Sequence, residues 1–230
     1  MFSLAKLKQK KYRQAEKQVV IEGRRIIEQL LNWGIRAEEL YISEDSFALP
    51  AKSVYLANSV AMQRICDSDS PPQIAGLYSI PEETYAKFKS AFYLDGISDP
   101  GNLGTIFRIA SAFGIESLLL SPGCCEVASP KVIRSSLGAV YKVPFRTCTA
   151  TELKAMETKV IALDMAGKQS LRDYSPVDTP YVMAIGSEAH GLSQDVTAIA
   201  TLSLRIDMPG DMESLNAAVC AGICAYQISR

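Results

Sequence analysis

The residues best suited to chemistry fall in three short segments. GSEAHGLS (186–193) follows the apolar run YVMAIG and holds His190, the only histidine of the chain. Gly186 and Gly191 have the spacing of a phosphate-binding loop, but Leu192 stands where such a loop needs lysine, so nothing would neutralise a triphosphate. A dinucleotide-type GxGxxG is absent as well. Glu188 in this turn suits a hydroxyl or a cation, or is a plain solvated turn residue, and His190 reads as an ordinary loop histidine. RIDMPGDMESLNAAVCAGICAY (205–226) is a second glycine turn running into a helix opened by Ser214, Leu215 and Asn216. Ser214 and Asn216 are capping types, which is also a sufficient reason for them. The third segment, DPGNLGTIFRIASAFG (99–114), offers Asn102 as an N-cap and Arg108 on the side away from the Leu103, Ile106, Ala110 and Phe113 stripe. Arg108 is an ordinary surface arginine unless that outer face borders a cleft or a subunit interface.

These segments need elements to hold them. Strand-like runs are EKQVVIE, EELYIS, KSVYLA, QIAGLYSI, AFYLDGI, ESLLLS, PFRTC, TKVIALDM, YVMAIG and TLSLRI. Helical patterns lie between many of them: residues 3–14, RRIIEQLLNWG with Gly34 closing it, NSVAMQRICDS, the Arg108 segment, the start of PKVIRSSLGAVYKVP, ATELKAME and SQDVTAIA. In the last helix Leu215, Val219, Ile223 and Tyr226 form the apolar stripe, and Ala217, Ala218, Ala221 and Ala225 permit close approach of another helix. This alternation predicts an α/β fold whose parallel sheet is covered on both faces. A polar connection at IPEETYAKFKS divides the chain into 1–88 and 89–230.

Composition narrows the class. A hydrophobic fraction of 48% and a charged fraction of 21% are those of a globular protein. No apolar run reaches the length of a membrane span, and the charged start has no signal-peptide core, so the expected location is the cytoplasm. Six cysteines without a CxxC pair, with a single histidine, predict reduced thiols and no metal site. The net charge is −1, yet residues 1–36 carry nine Lys and Arg against three Glu. Such a basic end suits phosphate contacts, with Lys8, Lys10, Lys11, Arg13 and Arg24 as candidates, although a solvated helix face has the same composition.

Taken together, DPGNLGTIFRIASAFG, PKVIRSSLGA, AIGSEAHGLS and IDMPGDMESLNAA resemble SpoU/TrmH-type RNA ribose 2′-O-methyltransferases of the SPOUT class, in order and separation, over residues 91–230. The N-terminal LAKLKQKKYRQAEKQVVIEGRRIIEQLL is similar, more loosely, to the RNA substrate-binding domain often joined to them, itself like ribosomal proteins. The resemblance implies a trefoil-knotted parallel-sheet domain after a small α/β domain. It implies S-adenosylmethionine held bent in the knot, with Gly186, Ile206, Met208, Leu215, Asn216 and Ala217 as cofactor positions. Catalytic positions would be Arg108, at the ribose 2′-hydroxyl, with Asn102, Glu188, Ser214 and Asn216. A homodimer with an interfacial site would explain why Arg108 faces away from its own core. Lys131 and Arg134 would be RNA contacts beside the site, or else plain surface charges. Two departures stand out: Ala189 replaces a common glycine, and Asp207 interrupts the frequent I-P-M run. The expected substrate is ribosomal RNA, with transfer RNA or a non-catalytic RNA-binding or ribosome-assembly role as alternatives.

Overall fold

In place of one basic helix over 3–14, the chain makes a 3₁₀ turn at Leu4–Lys8 and then α1 at Lys10–Glu16, closed by Lys17 in the left-handed region at φ 56°. The computed structural model describes residues 4–176 and 178–229, so Ser3 of that expected helix lies outside the described residues. Arg13 explains the break. It is buried, and its Nη1 donates to the carbonyls of Leu7 at 2.9 Å and Lys8 at 2.8 Å, pinning the turn to the helix. Arg13 is therefore removed from the RNA-contacting set: its guanidinium is spent inside the fold.

The remaining elements follow the sequence pattern closely. They are β1 (Gln18–Glu22), α2 (Arg24–Asn32), β2 (Glu39–Ile42), β3 (Ser53–Leu56), α3 (Ser59–Ile65), β4 (Ile74–Ser79), β5 (Ser90–Asp95), α4 (Pro100–Phe113), β6 (Ser117–Leu120), α5 (Pro130–Ser135), β7 (Phe145–Thr147), α6 (Ala150–Ala155), β8 (Lys159–Leu163), β9 (Gln169–Ser170), β10 (Tyr181–Gly186), α7 (Gln194–Ile199), β11 (Leu202–Arg205) and α8 (Ala217–Ile228).

The chain folds as two compact units that are not contiguous in sequence. The first takes the described residues up to Glu82 together with Val127–Tyr141; the second takes Glu83–Glu126 and the described residues from Lys142 onward. This differs from the expected 1–88 and 89–230 division. The reason is α5 and its flanks, which pack on the first unit's sheet. Arg134 donates to the buried Glu22 at 2.9 Å, and a side chain on Gly138 would press on Leu30 at 3.0 Å. In the first unit the sheet order is β1-β4-β2-β3, with β4 antiparallel to β1 and β2, and β3 parallel to β2. Leu4, Leu7, Val20, Met62, Ile65 and Leu77 fill one side of it.

The second unit is built on a parallel sheet of order β7-β6-β5-β10-β8-β11-β9. Its central strands β5, β6 and β10 are buried on both faces, as continuous apolar runs require. Registers Gly186 with Asp95 and Ile185 with Leu163 bring the carboxyl ends of β5, β8 and β10 to one edge. Open α/β sheets place their ligand sites at such an edge.

Two helices flank that edge. In α4 the N-cap is Asp99, whose carboxylate accepts from Asn102 N at 2.8 Å; Asn102 sits one turn in and is not the cap. Helix α8 turns opposite to expectation. Its small residues Ala217, Ala218, Ala221, Cys224 and Ala225 are buried, while Val219, Ile223 and Tyr226 are 48%, 37% and 55% exposed. Small side chains let α8 lie close against α4, where even a Cβ on Gly222 would reach within 3.6 Å of Ile109. The larger residues have no room on that side. Phe113, expected inside, is instead partly exposed, edge-on to Tyr226 with centroids 6.4 Å apart. Among the described residues no helix is long and apolar enough to cross a membrane.

Candidate active site

The loop after β10 folds back on itself. Ser187 and Gly191 exchange backbone hydrogen bonds at 3.1 and 2.8 Å, and Gly191 adopts φ 67°. Gly186 lies so close beneath this turn that a Cβ would fall 2.1 Å from the Gly191 carbonyl carbon. Only glycine fits there. Asp95, at the end of β5, fixes the far side of the loop by accepting from Ser193 N at 2.8 Å.

The turn delivers Glu188 to a chain of hydrogen bonds. Asn102 Nδ2 donates to Glu188 Oε1, and Asn216 Nδ2 donates to Asn102 Oδ1 at 2.9 Å. The Ala217 amide adds a longer contact to Glu188 Oε1 at 3.4 Å. Asn216 is itself the N-cap of α8, accepting from Ala218 N at 2.9 Å and Val219 N at 3.3 Å. The helix therefore opens at Asn216, two residues later than Ser214 suggested. Residues 86 and 114 positions apart in sequence meet here.

Beside this chain lies a cleft of about 430 Å³. Leu163, Ile185, Leu192, Ile206 and Leu215 give apolar walls; Gly186 and Gly191 give bare backbone; Asp164, Glu188 and Glu213 bring carboxylates. Among the described residues no lysine or arginine lines it. An apolar cleft with acidic groups and no cation suits a ligand that pairs a flat apolar surface with a positive charge.

Of the expected cofactor positions, Gly186, Ile206, Met208, Leu215 and Ala217 line this cleft. Asn216 does not, because capping and the Asn102 contact occupy its amide. Ser214 lines the cleft but is not part of the Asn102–Glu188–Asn216 chain. Arg108 is exposed on α4, away from the lining; six residues beyond Asn102, it stands about 9 Å further along the helix axis. His190 also lines the cleft, donating its backbone N–H to Ser187 Oγ at 3.3 Å.

Lys8, Lys10, Lys11 and Lys131 are exposed, with Lys8 reaching the Gln63 carbonyl at 3.3 Å and Lys11 lying 4.8 Å from the Tyr12 ring centre. Arg24 pairs with Glu28 at 2.6 Å. Arg134 pairs with Glu22, which would otherwise be a buried unpaired carboxylate, while its own side chain stays 39% exposed. Asp95, Asp164, Met165 and Glu213 were missed. Asp95 and Asp164 end the runs AFYLD and IALD, and the rule that sites gather at carboxyl ends of parallel strands would have found both.

Known proteins agree with this geometry. Residues 3–76 match the MRM3-like substrate binding domain. A 23S rRNA (guanosine(2553)-2′-O)-methyltransferase, RlmP of Bacillus subtilis, is 27% identical over 97% of this chain and 93% of its own length. A structure of an RNA 2′-O ribose methyltransferase superposes with a TM-score of 0.84 at 26% identity, covering 98% of this chain and 93% of that one. The SpoU methyltransferase AviRb from Streptomyces viridochromogenes, in complex with AdoMet, shares the fold with a TM-score of 0.84 at 20% identity, covering 99% and 96%. Residues 89–226, more than half of the sequence and all of the cleft, match the SpoU rRNA Methylase family, and the chain belongs to that family.

Proposed function

We propose that this protein transfers a methyl group from S-adenosylmethionine to a ribose 2′-hydroxyl of ribosomal RNA. The observation that carries the reading is the cleft itself: apolar walls, bare glycine backbone and carboxylates, with the Asn102–Glu188–Asn216 chain at its edge. The residues fit the cofactor. Leu163, Ile185, Ile206 and Leu215 offer surfaces for a purine, and Asp164, Glu188 and Glu213 offset a positive charge. When bound, S-adenosylmethionine supplies an electrophilic methyl group on its sulfonium.

The chain's own task is placement. Asn102 and the Ala217 amide fix Glu188 in one position, and Asn216 fixes Asn102, so the polar edge is ordered before substrate arrives. Such preorganisation supplies much of the barrier reduction in group transfer. Arg108 contacts the 2′-hydroxyl or a neighbouring phosphate. A guanidinium stays protonated in proteins, so its contribution is orientation and charge stabilisation.

Arg108 does not reach the cleft of its own chain, and the reading therefore includes a homodimer in which each copy lends Arg108 to the other. The exposed Val219, Ile223 and Tyr226 of α8, with Phe113 of α4, are the apolar face available for it. We also infer that the cleft loops are threaded as a trefoil knot. Gly167 passes the Leu204–Arg205 backbone so closely that a Cβ would lie 2.4 Å from Leu204 C, which suits a crossing of two chain segments. Ribosomal RNA is favoured over transfer RNA by a relative that aligns over nearly the whole chain. The intact polar chain argues against a non-catalytic role, and a ribosomal substrate fits a cytoplasmic location.

The test is direct. The protein is incubated with methyl-labelled S-adenosylmethionine and ribosomal RNA lacking 2′-O-methylation, and the RNA is digested to nucleosides. Label in a 2′-O-methylnucleoside supports the reading; label confined to bases, or absent from RNA, overturns it.

A further inference from the structure

The two loops that flank the cleft are joined by side chains that do not themselves line it. The loop after β8 contributes Asp164 and Met165 to the cleft, and the loop after β11 contributes Ile206 and Met208. Arg205 reaches from one to the other. Its Nη1 donates to the carbonyls of Gly167 at 3.1 Å and Lys168 at 3.2 Å. Its Nε faces Asp207 Oδ1 at 3.0 Å. The second oxygen of Asp207 accepts from the hydroxyl of Ser170, a buried residue of β9 that also caps the following turn by accepting from Arg172 N at 3.1 Å. Register places Ser170 directly opposite Arg205 across the β9–β11 pair.

Asp207 sits between two cleft-lining residues, Ile206 and Met208, with its own side chain turned outward to this network. The Ser170 hydroxyl first, then Arg205 and Arg172, hold its carboxyl below the usual carboxylate range. An isolated ion pair this exposed would contribute little. Here the same atoms anchor two loops at once, and the gain is in loop order, which a ligand would otherwise have to impose on binding.

We propose that Arg205, Asp207 and Ser170 form a latch that sets the spacing of the two cofactor loops, with Asp207 as a positioning residue for S-adenosylmethionine binding. This rests on the cofactor reading above. The latch acts before the cofactor arrives, so breaking it weakens binding and leaves the chemical step intact.

The experiment compares the parent protein with Asp207→Ala, Asp207→Asn, Arg205→Ala and the Asp207→Ala/Arg205→Ala double variant. Isothermal titration with S-adenosylmethionine and steady-state kinetics are read alongside amide hydrogen exchange of the cofactor-free proteins. Asp207→Ala is expected to raise the Kd and the KM for S-adenosylmethionine about tenfold while kcat stays within about twofold. Asp207→Asn, nearly isosteric, falls between, and the double variant binds no more weakly than the weaker single variant. Exchange accelerates in residues 164–169 and 206–208 and not in β5 or β10. Equal affinity in all variants, multiplicative losses in the double, or a fall in kcat at unchanged KM each overturn the latch. Should the parent protein not bind S-adenosylmethionine, the cofactor reading falls. The latch is then judged by exchange alone: faster exchange in both loops upholds it, and unchanged exchange overturns it.

Discussion

Asn216 Nδ2 donates to Asn102 Oδ1 at 2.9 Å while the Asn216 Oδ1 caps α8, so one amide ties the start of the last helix to the polar edge of the cleft. Asn216→Asp separates these tasks. Aspartate caps as well as asparagine, but it cannot donate to Asn102, which would lose its fixed orientation toward Glu188. Methyl transfer is expected to fall about 10²-fold, the usual consequence of misplacing a reacting group by about an ångström. The melting temperature and the affinity for S-adenosylmethionine stay near the parent values. Single-turnover kinetics and a thermal melt check both halves.

Arg108 is expected to act across the proposed dimer. Arg108→Ala and Glu188→Ala each lower methyl transfer, the former about 10²–10³-fold as for removal of a charge-stabilising donor. Mixing the two inactive proteins under subunit exchange restores activity, because one of the two clefts then has an intact Glu188 and an Arg108 from the other subunit. If Arg108 served its own cleft, the mixture would remain inactive.

Lys8, Lys10 and Lys11 are exposed, whereas Arg13 is buried on two carbonyls. Replacing the three lysines by alanine should weaken RNA binding and flatten its dependence on salt, by up to about 0.9 in slope for each phosphate that a lysine no longer neutralises at duplex charge density. Arg13→Ala should instead lower stability by about 2 kcal/mol, from hydrogen bonds of a charged donor. A salt titration of RNA binding and a denaturant melt separate the two effects.

Gly186 and Gly167 admit no side chain, with Cβ positions 2.1 Å and 2.4 Å from neighbouring backbone. Alanine at either position should lower stability by about 3 kcal/mol or more, since rigid backbone must move. For a chain of this size that corresponds to a fall of about 6–12 °C in Tm. Gly34→Ala makes a useful contrast: open space surrounds it, and its cost comes only from a φ of 80°.

Stability should also fall in strong alkali. Burial pushes the Cys66 thiol and the Cys125 thiol up to about 12 from an ordinary 9.0. Between pH 9 and 12 the unfolded chain therefore binds fewer protons than the folded one, and unfolding becomes easier as pH rises. Below pH 9 both states hold the proton and the contribution is complete. Denaturant melts from pH 7 to 11 should be flat up to about 9 and decline beyond it, and Cys66→Ala should soften that decline.

The α/β architecture was legible because buried parallel strands write continuous apolar runs, as YVMAIG and AFYLD do. The site was legible only in part. Asn102, Glu188 and Asn216 were found as types in motifs, but their mutual hydrogen bonds depend on contacts across most of the chain. The face of α8 was misread for a physical reason. Periodicity reports where large apolar residues gather, and it cannot tell a core from an outward face kept apolar; the alanines carried the information about close packing. Arg13 was misread because charge counts do not record burial or partners. Of the latch of Arg205, Asp207 and Ser170 only Asp207 stood out in the sequence, as a departure within its motif; its partners were not legible, since the members are separated by a whole helix-bearing segment.

The interleaving of the two compact units bears on how this protein can be cut. A fragment ending at residue 88 would lose α5, and with it the cover over Ile26 and Leu30 and the partner of the buried Glu22. Its complement would carry that helix with nothing to pack on. Dissection of RNA binding from methyl transfer therefore calls for grafting: a first unit whose Glu82 is joined by a short designed linker to Val127–Tyr141 keeps its own core, and neither half made by a single cut does.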